Sequence, residues 1–220
     1  MHRGLAAVAA VAVLLAGACG GKQTAKPAIG DSALAAKIVL KKADLPSGFD
    51  AQPHAADPTQ AAVIRQLSTC LGIGDPAPHT TALVNSDDFS KGQGVNVGSS
   101  ARIVKTGDQA SADLAGYQSN KATTCMQQAL EPVIKERLPS GFTPSNLAVQ
   151  QLVFPTLKDG TAAHQGSFTI PLAGTNVPVY VDFIIFRAGR AEVTLQTTNA
   201  GSPFDTKLEQ ELANKMADRT

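Results

Sequence analysis

The chain has no tryptophan, only two tyrosines, and 5% aromatic residues in all. That scarcity argues against an aromatic platform on which bases or sugars would stack. It has almost no net charge, with 19 basic against 18 acidic side chains. Nucleic acid and anionic lipid surfaces both call for a basic excess, so neither is an expected partner. No apolar run approaches the roughly 20 residues that a membrane-spanning helix needs. Catalytic signatures are missing as well: there is no G-x-S-x-G elbow, no P-loop and no dinucleotide fingerprint. Beyond His2, the histidines are His54, His79 and His164, in separate segments without a paired spacing. Each is expected at a surface or edge, and no metal site or cofactor is expected. Asp87 and Asp88 are adjacent, so they read as a solvated pair rather than a catalytic dyad.

What is present begins at the amino end. Arg3 precedes an eleven-residue apolar run, Leu5 to Leu15, which suits the core of a secretory signal and reaches only about 16 Å as a helix. Leu15-Ala16-Gly17-Ala18-Cys19 then resembles a lipobox, with Ala16 where leucine is usual. Residues 1–18 read as a lipoprotein signal peptide and Cys19 as the lipidation site. Ordinary secretion with cleavage near Ala18 is the alternative. Each buried methylene contributes roughly 0.8 kcal/mol, and two acyl chains are needed for stable anchorage. A diacylglyceryl group on Cys19 would make the membrane a partner and hold the protein outside it. Residues 19–31 are small and polar, without periodicity, and read as a flexible tether. Residues 32–220 read as one domain.

Cleavage removes Arg3 and no acid, which leaves 18 basic residues facing 18 acidic ones. Two cysteines remain, Cys70 and Cys125. In an oxidising compartment a structural disulfide is the expected state, with two buried thiols or a redox pair as alternatives; no C-x-x-C spacing supports the latter. The bridge would close a loop of about 55 residues and contribute roughly 4 kcal/mol in the chain-entropy model.

Along the domain, Ala33–Asp44 favours helix and ends in the turn Leu-Pro-Ser-Gly-Phe at 45–49. Asp57-Pro58 caps a helix with Val63, Ile64, Leu67, Cys70 and Leu71 on one face. A strand over 82–89 precedes one over 94–105, where Val95, Val97, Ser99, Ala101 and Ile103 alternate with Asn96, Gly98, Ser100 and Arg102, the pattern of a half-buried strand. Asp108 is expected to cap a short helix. An amphipathic helix from Asn120 carries Cys125 inward, and Pro132 should kink or divide it. Strands follow over 147–154 and 162–172, then the nearly all-apolar 177–187, as a strand covered on both faces would be. A turn at Ala188-Gly189 leads to a strand over 190–198, and Ser202-Pro203 starts a last helix. The fold class is α+β: an antiparallel sheet of about six strands packed against helices, as two layers or an α/β sandwich. Leu-Pro-Ser-Gly-Phe recurs at 138–142, either as a trace of duplication or as the same convenient helix-ending turn.

These motifs together resemble a family of actinobacterial lipoproteins. They are the lipobox and tether, Asp44-Leu45-Pro46-Ser47-Gly48-Phe49, Asp88-Phe89-Ser90 and Ala122–Leu130 around Cys125. Val177-Pro178-Val179-Tyr180-Val181-Asp182, Arg187-Ala188-Gly189-Arg190 and Pro203-Phe204-Asp205 complete the set. The resemblance extends to the extracellular sensor domain of PknH-type kinases, and it implies an α/β sandwich with a groove suspected of holding a ligand. That sensor is expected to carry two disulfides, whereas this chain can form one. A Mog1/PsbP-like lipoprotein domain is a second candidate. Neither resemblance supplies a catalytic residue.

Asp182 is the charge that the pattern leaves unexplained. It stands in an apolar strand, where an unpaired carboxylate costs several kcal/mol. Either it lines a ligand groove together with Tyr180, or it lies on a helix-covered face paired with Arg187, Arg190 or Arg102. Tyr180 and Asp182 are therefore the weak ligand-binding candidates, and no catalytic residue is assigned. The leading functional expectation is a non-enzymatic envelope lipoprotein that binds a small ligand or an envelope protein. An accessory subunit docking on another envelope protein, or a hydrolase without a recognisable motif, are the alternatives.

Overall fold

The computed structural model describes residues 29–56, 60–137, 144–172 and 174–220. The signal segment, Cys19, the tether up to residue 28, the Asp57-Pro58 cap and the second Leu-Pro-Ser-Gly-Phe lie outside the described residues.

Eight strands form a single antiparallel sheet: β1 (Asp50–Gln52), β2 (Thr80–Asn85), β3 (Asp88–Lys91), β4 (Val95–Val104), β5 (Ser145–Gln151), β6 (Thr161–Leu172), β7 (Thr175–Ala188) and β8 (Ala191–Ala200). Their order is β1-β3-β4-β8-β7-β6-β5, with β2 also on β4. Two more strands than expected arise because β1 is new and the stretch 82–89 is broken in two. The break falls at Ser86. Its N–H donates to the Ser99 carbonyl at 2.8 Å, and its hydroxyl accepts from the Ser99 N–H at 2.9 Å. A side chain thus stands in for a backbone carbonyl, and the chain bends without leaving the Ser99 donor unpaired.

Helices α1 (Ile29–Ile38) and α5 (Thr206–Ala217) cover one face of the sheet; α2 (Gln60–Leu71), α3 (Gly107–Gln118) and α4 (Ala122–Arg137) cover the other. The architecture is an α+β sandwich with helices on both sides. Residues 29–31 therefore belong to the first helix rather than to a tether, and Asp31 is tied to the domain by Arg190 at 2.7 Å. Under α1 and α5 the core gathers Ile38, Phe89, Val97, Ile103, Ile184, Phe186, Leu195, Leu212 and Met216. The first Leu-Pro-Ser-Gly-Phe turn adds Leu45 and Phe49 to it, and Gly48 supplies the positive φ of +92°. Under α2, α3 and α4 lie Leu67, Met126, Ile134, Phe168, Val181 and Phe183. Strand β7 sends Phe183 and Ile185 to one core and Ile184 and Phe186 to the other, as its continuous apolar run requires.

Several local expectations shift by a few residues. Strand β4 is covered on both faces rather than half-buried, because helices flank the sheet on each side. Thr106, not Asp108, caps α3, its hydroxyl accepting from the Gln109 N–H. Asp205 caps α5 in the same way through the Leu208 N–H, so Ser202-Pro203 precede the helix. Ala188 pairs with Ala191, which makes Gly189-Arg190 the hairpin loop, with Gly189 at φ +59°. Pro132 does not divide α4, which runs unbroken from Ala122 to Arg137. Pro132 and Gln128 both face solvent, so the carbonyl that loses its donor has water within reach.

Cys70 and Cys125 form a disulfide that joins α2 to α4 across a separation of 55 residues. The double variant Cys70→Ser/Cys125→Ser is expected to lose about 4 kcal/mol of folding stability, read from urea unfolding of the oxidised and substituted proteins. A loss below about 1 kcal/mol would assign the docking of α2 on α4 to apolar contact alone.

Candidate functional site

Beneath α3 and its neighbours, strands β4 and β8 present a stripe of polar side chains cut off from water. Asn96, Gly98, Ser100 and Arg102 on β4 stand opposite Thr198, Gln196, Thr194 and Glu192 on β8. Asn96 is 7% exposed, Ser100 6%, Gln196 6% and Thr198 2%. The alternation that suggested a solvent face is present, but the face is covered. Buried polar groups without partners cost about 1–3 kcal/mol each, so the partners of this stripe decide what it is for.

At one end the stripe is paired except for Glu192 Oε1, which is buried without a partner. Arg102 donates through Nε to Glu192 at 2.7 Å and through Nη2 to Asp113 of α3 at 3.0 Å. Gln109 donates to the other Asp113 oxygen at 2.7 Å. Burial pushes Glu192 up to about 8, against the pull of Arg102 and with the help of the neighbouring Asp113. Two carboxyls thus share one guanidinium, and Glu192 keeps its proton near neutrality. Burial likewise carries Tyr117 up to about 12. This cluster fastens α3 to the sheet.

The other end is not satisfied. Among the described residues, Asn96 Nδ2, Thr198 Oγ1 and His54 Nε2 are buried atoms without a hydrogen-bond partner. Asn96 and Thr198 face each other across the β4–β8 ladder. His54 leans in from the segment after β1, its Nδ1 donating to Asp88 Oδ1 at 3.1 Å. Between them lies Gly98. It is buried, yet a Cβ built there would meet only Asp88 Oδ1, at 3.8 Å. That is ordinary van der Waals distance, so Gly98 is a small residue in the floor of the covered sheet with the Asp88 carboxylate over it. Val181 and Phe183, opposite Thr198 and Gln196 on β7, form the apolar side of that floor. A glycine inside a strand is a known mark of close approach by another group. That signal was legible at Gly98. The convergence of His54, Asn96 and Thr198 on it was not, because it depends on the pairing register.

Asp182 and Tyr180 lie on the opposite face. Asp182 is 4% exposed beneath α5, in register with Gln165 on β6 and Thr197 on β8. None of the three arginines expected to pair with it does so. Arg102 sits on the other face with Asp113 and Glu192, Arg187 pairs with Asp159 at 3.3 Å, and Arg190 pairs with Asp31. Its neighbours are Gln165, itself held by Gln150 at 3.0 Å, and the carboxyl of Glu209 from α5, which accepts from Thr197 at 2.8 Å. Burial raises Asp182 to about 6, and burial with the nearby Asp182 charge raises Glu209 to about 7. Tyr180 is half-buried on this face between Ser167 and Asn199. Asp182 is thus sealed under a helix.

His164 is also buried rather than peripheral, at 2% exposure, because β6 carries it under α3, where its Nε2 lies 2.9 Å from the Tyr117 carbonyl. Burial lowers its pKa. His79 is exposed and His54 half-buried. Asp88 is not a merely solvated partner of Asp87, since it holds His54. Among the described residues no three His, Cys, Asp or Glu side chains stand close enough to hold a metal ion, and no helix is long and apolar enough to cross a membrane. A depression of about 370 Å³ runs along the β5–β6 edge beside the fully exposed Val153; one valine does not make an apolar docking face.

The buried acids set a pH dependence. Asp182, Glu209 and Glu192 have folded pKa values raised to about 6, 7 and 8. Their stabilising contribution is complete below the ordinary carboxylate range and is lost as pH rises through those values. Asp31 and Asp44 act in the opposite sense: desolvation opposes the shift at Asp44, but Arg190 and Arg219 hold the two acids low, so their contribution fades only in acid. Asp182→Asn is expected to reduce the stability lost between pH 5 and pH 8 by on the order of 1 kcal/mol, measured by urea unfolding at both values. An unchanged difference would show that Asp182 titrates as it does in the unfolded chain.

No protein-family model matches the chain, and no curated protein matches it in sequence. Among solved structures it is similar to the extracellular domain of PknH from Mycobacterium tuberculosis, at 13% identity and TM-score 0.49, covering 86% of this chain and 95% of that one. It is also similar to LpqN, involved in cell envelope biogenesis in the same organism, at 13% identity and TM-score 0.32, covering 79% of this chain and 78% of that one.

Proposed function

We propose that this chain is a cell-envelope lipoprotein whose single α+β domain binds a small ligand without catalysis, held outside the cytoplasmic membrane through diacylglyceryl-Cys19. The observation that supports the binding role is the group of buried polar atoms without partners about Gly98: His54 Nε2, Asn96 Nδ2 and Thr198 Oγ1. A small polar guest would satisfy groups that the fold leaves wanting. The lipobox sequence supports the address, and the Cys70–Cys125 disulfide suits an oxidising compartment.

The non-catalytic reading rests on the chemistry of the rim. His54 and Asp88 form a carboxylate–imidazole pair, the usual support of a nucleophile, but no hydroxyl or thiol stands on His54 Nε2 among the described residues. A hydrolase would need one there.

Cys19→Ser is expected to leave the precursor uncleaved and without lipid, read from its precursor mass and the loss of palmitate labelling; a precursor processed as in the wild type would overturn the anchor. For the binding role, the protein purified from its own envelope is expected to carry a small bound mass in native mass spectrometry that Gly98→Val lacks. Valine crowds the space beside Asp88 Oδ1, 3.8 Å from the Cβ position, and suits a strand better than glycine, so the variant is expected to stay folded, with a stability within about 1 kcal/mol of the ligand-free wild type in urea. Equal bound mass in both proteins would place the ligand elsewhere.

A further inference from the structure

We infer that β5 is a dimerisation edge, along which two copies of this chain join their sheets antiparallel about a two-fold axis at Gln151. Strand β5 is the last of the sheet and pairs through one side with β6. The Leu152 N–H donates to the Ala163 carbonyl at 2.8 Å, continuing the register that sets Gln151 opposite His164. Antiparallel ladders alternate, so Gln150 and Leu152 turn their backbone groups to β6 while Val149, Gln151 and Val153 turn theirs outward. A row of outward N–H and C=O groups is a template for a further strand. The usual protections are missing from this row. No Asp, Glu, Lys or Arg occurs between Arg137 and Lys158, and residues 145–154 contain no proline. The irregularity in the β5 register lies between Ser145 and Ala148, ahead of the row. By contrast, β1 at the opposite margin is three residues long and begins with Asp50. The depression of about 370 Å³ beside Leu152 and Val153 keeps the β5 margin open to an approaching strand.

Charge and backbone pairing together select the occupant and its register. Self-pairing sets residues against their own kind, which a charged edge resists and a neutral one accepts. A two-fold at Gln151 pairs Val149 with Val153 of the copy, Gln151 with Gln151, and Val153 with Val149. Every outward N–H and C=O of these residues then has an answer. An axis at Val149 would need the Leu147 carbonyl, which is already engaged by Gln127 Nε2 at 3.2 Å. An axis at Val153 would need Pro155, which has no N–H. The register at Gln151 also gives Val153, fully exposed in the single chain, the half-buried Val149 of the copy as a cross-strand neighbour. Helix α4 packs over Leu147 and Val149, so the two copies of α4 fall over opposite halves of the joined strands.

The test uses the protein extracted from its own envelope in a density-matched non-ionic detergent, with sedimentation equilibrium reading the dimer. Gln151 is exposed, so Gln151→Lys and Gln151→Glu are expected to leave urea unfolding unchanged while setting two like charges face to face. Each is expected to weaken dimerisation by about fivefold. An equimolar mixture of the two is expected to recover at least the wild-type association, because lysine then meets glutamate. Mild oxidation of Gln151→Cys in intact envelopes is expected to give a disulfide-linked dimer, since directly opposite residues stand about 5.5 Å apart at Cα. Ala148→Cys, set about 20 Å from its copy, is expected to stay unlinked. A wild-type protein that remains monomeric up to about 1 mM would overturn the inference and leave the edge to an extended segment of another protein. Association indifferent to both charged variants, or equal linkage of both cysteine variants, would put the contact on another surface. Weakening by both charges without recovery in the mixture would exclude the two-fold at Gln151. Each of these results overturns self-pairing along β5.

Discussion

Covering the sheet on both faces is the constraint from which the other features follow. Once α1 and α5 close one side and α2, α3 and α4 the other, side chains of β4, β7 and β8 lose access to water whichever way they point. For β7 this is favourable, since its apolar run feeds two cores. For β4 and β8 it is not, because alternate residues there are polar. Each such residue must find a partner, change its protonation or line a space for something else. The first two outcomes occur within one stripe and its reverse face, where Arg102 is paired and burial raises Glu192 and Asp182, while Asn96 Nδ2 and Thr198 Oγ1 stay without partners.

The two buried carboxyl clusters show how much the presence of one cation matters. Beside Arg102, Asp113 and Glu192 form a fastening between helix and sheet. Under α5, Asp182 and Glu209 have amides and a hydroxyl for company, so the two acids oppose each other's ionisation. Because α5 supplies Glu209, deprotonation bears directly on how firmly that last helix sits on β7 and β8. Near neutral pH the domain thus carries a region whose docking weakens toward alkaline conditions, opposite in sense to the Asp31–Arg190 and Asp44–Arg219 pairs.

Much of the framework was legible in the chain. The period-two runs located β4, β6, β7 and β8, and the helical spacing of Leu67, Cys70, Cys125 and Met126 placed both cysteines on faces that meet. The apolar stretch 177–187 announced a strand buried on both sides. What failed did so for a common reason. Asn96, Gly98, Ser100 and Arg102 read as a wet face because alternation reports polarity, not the presence of a second helical layer. Asp182 was expected either to line a groove or to find an arginine, but register and parity put Arg102 and Arg187 on the other face and Arg190 at the turn. His164 was expected at an edge, whereas β6 carries it under α3. The Ser86 break in the outer ladder depends on a hydroxyl replacing a carbonyl, which no local pattern encodes.

The salt bridge between Asp31 and Arg190 has a geometric corollary. It clamps the beginning of the first helix to the β7–β8 turn, beside the carboxyl end of β4, where Arg190 also donates to the Val104 carbonyl. Asn96 is eight residues back along that strand, a span of roughly 26 Å. A pull on Ile29 would load the domain at one pole, while the unpartnered polar atoms about Gly98 lie toward the other. The end of the domain held by that salt bridge is therefore not the end where Asn96 and Thr198 lack partners.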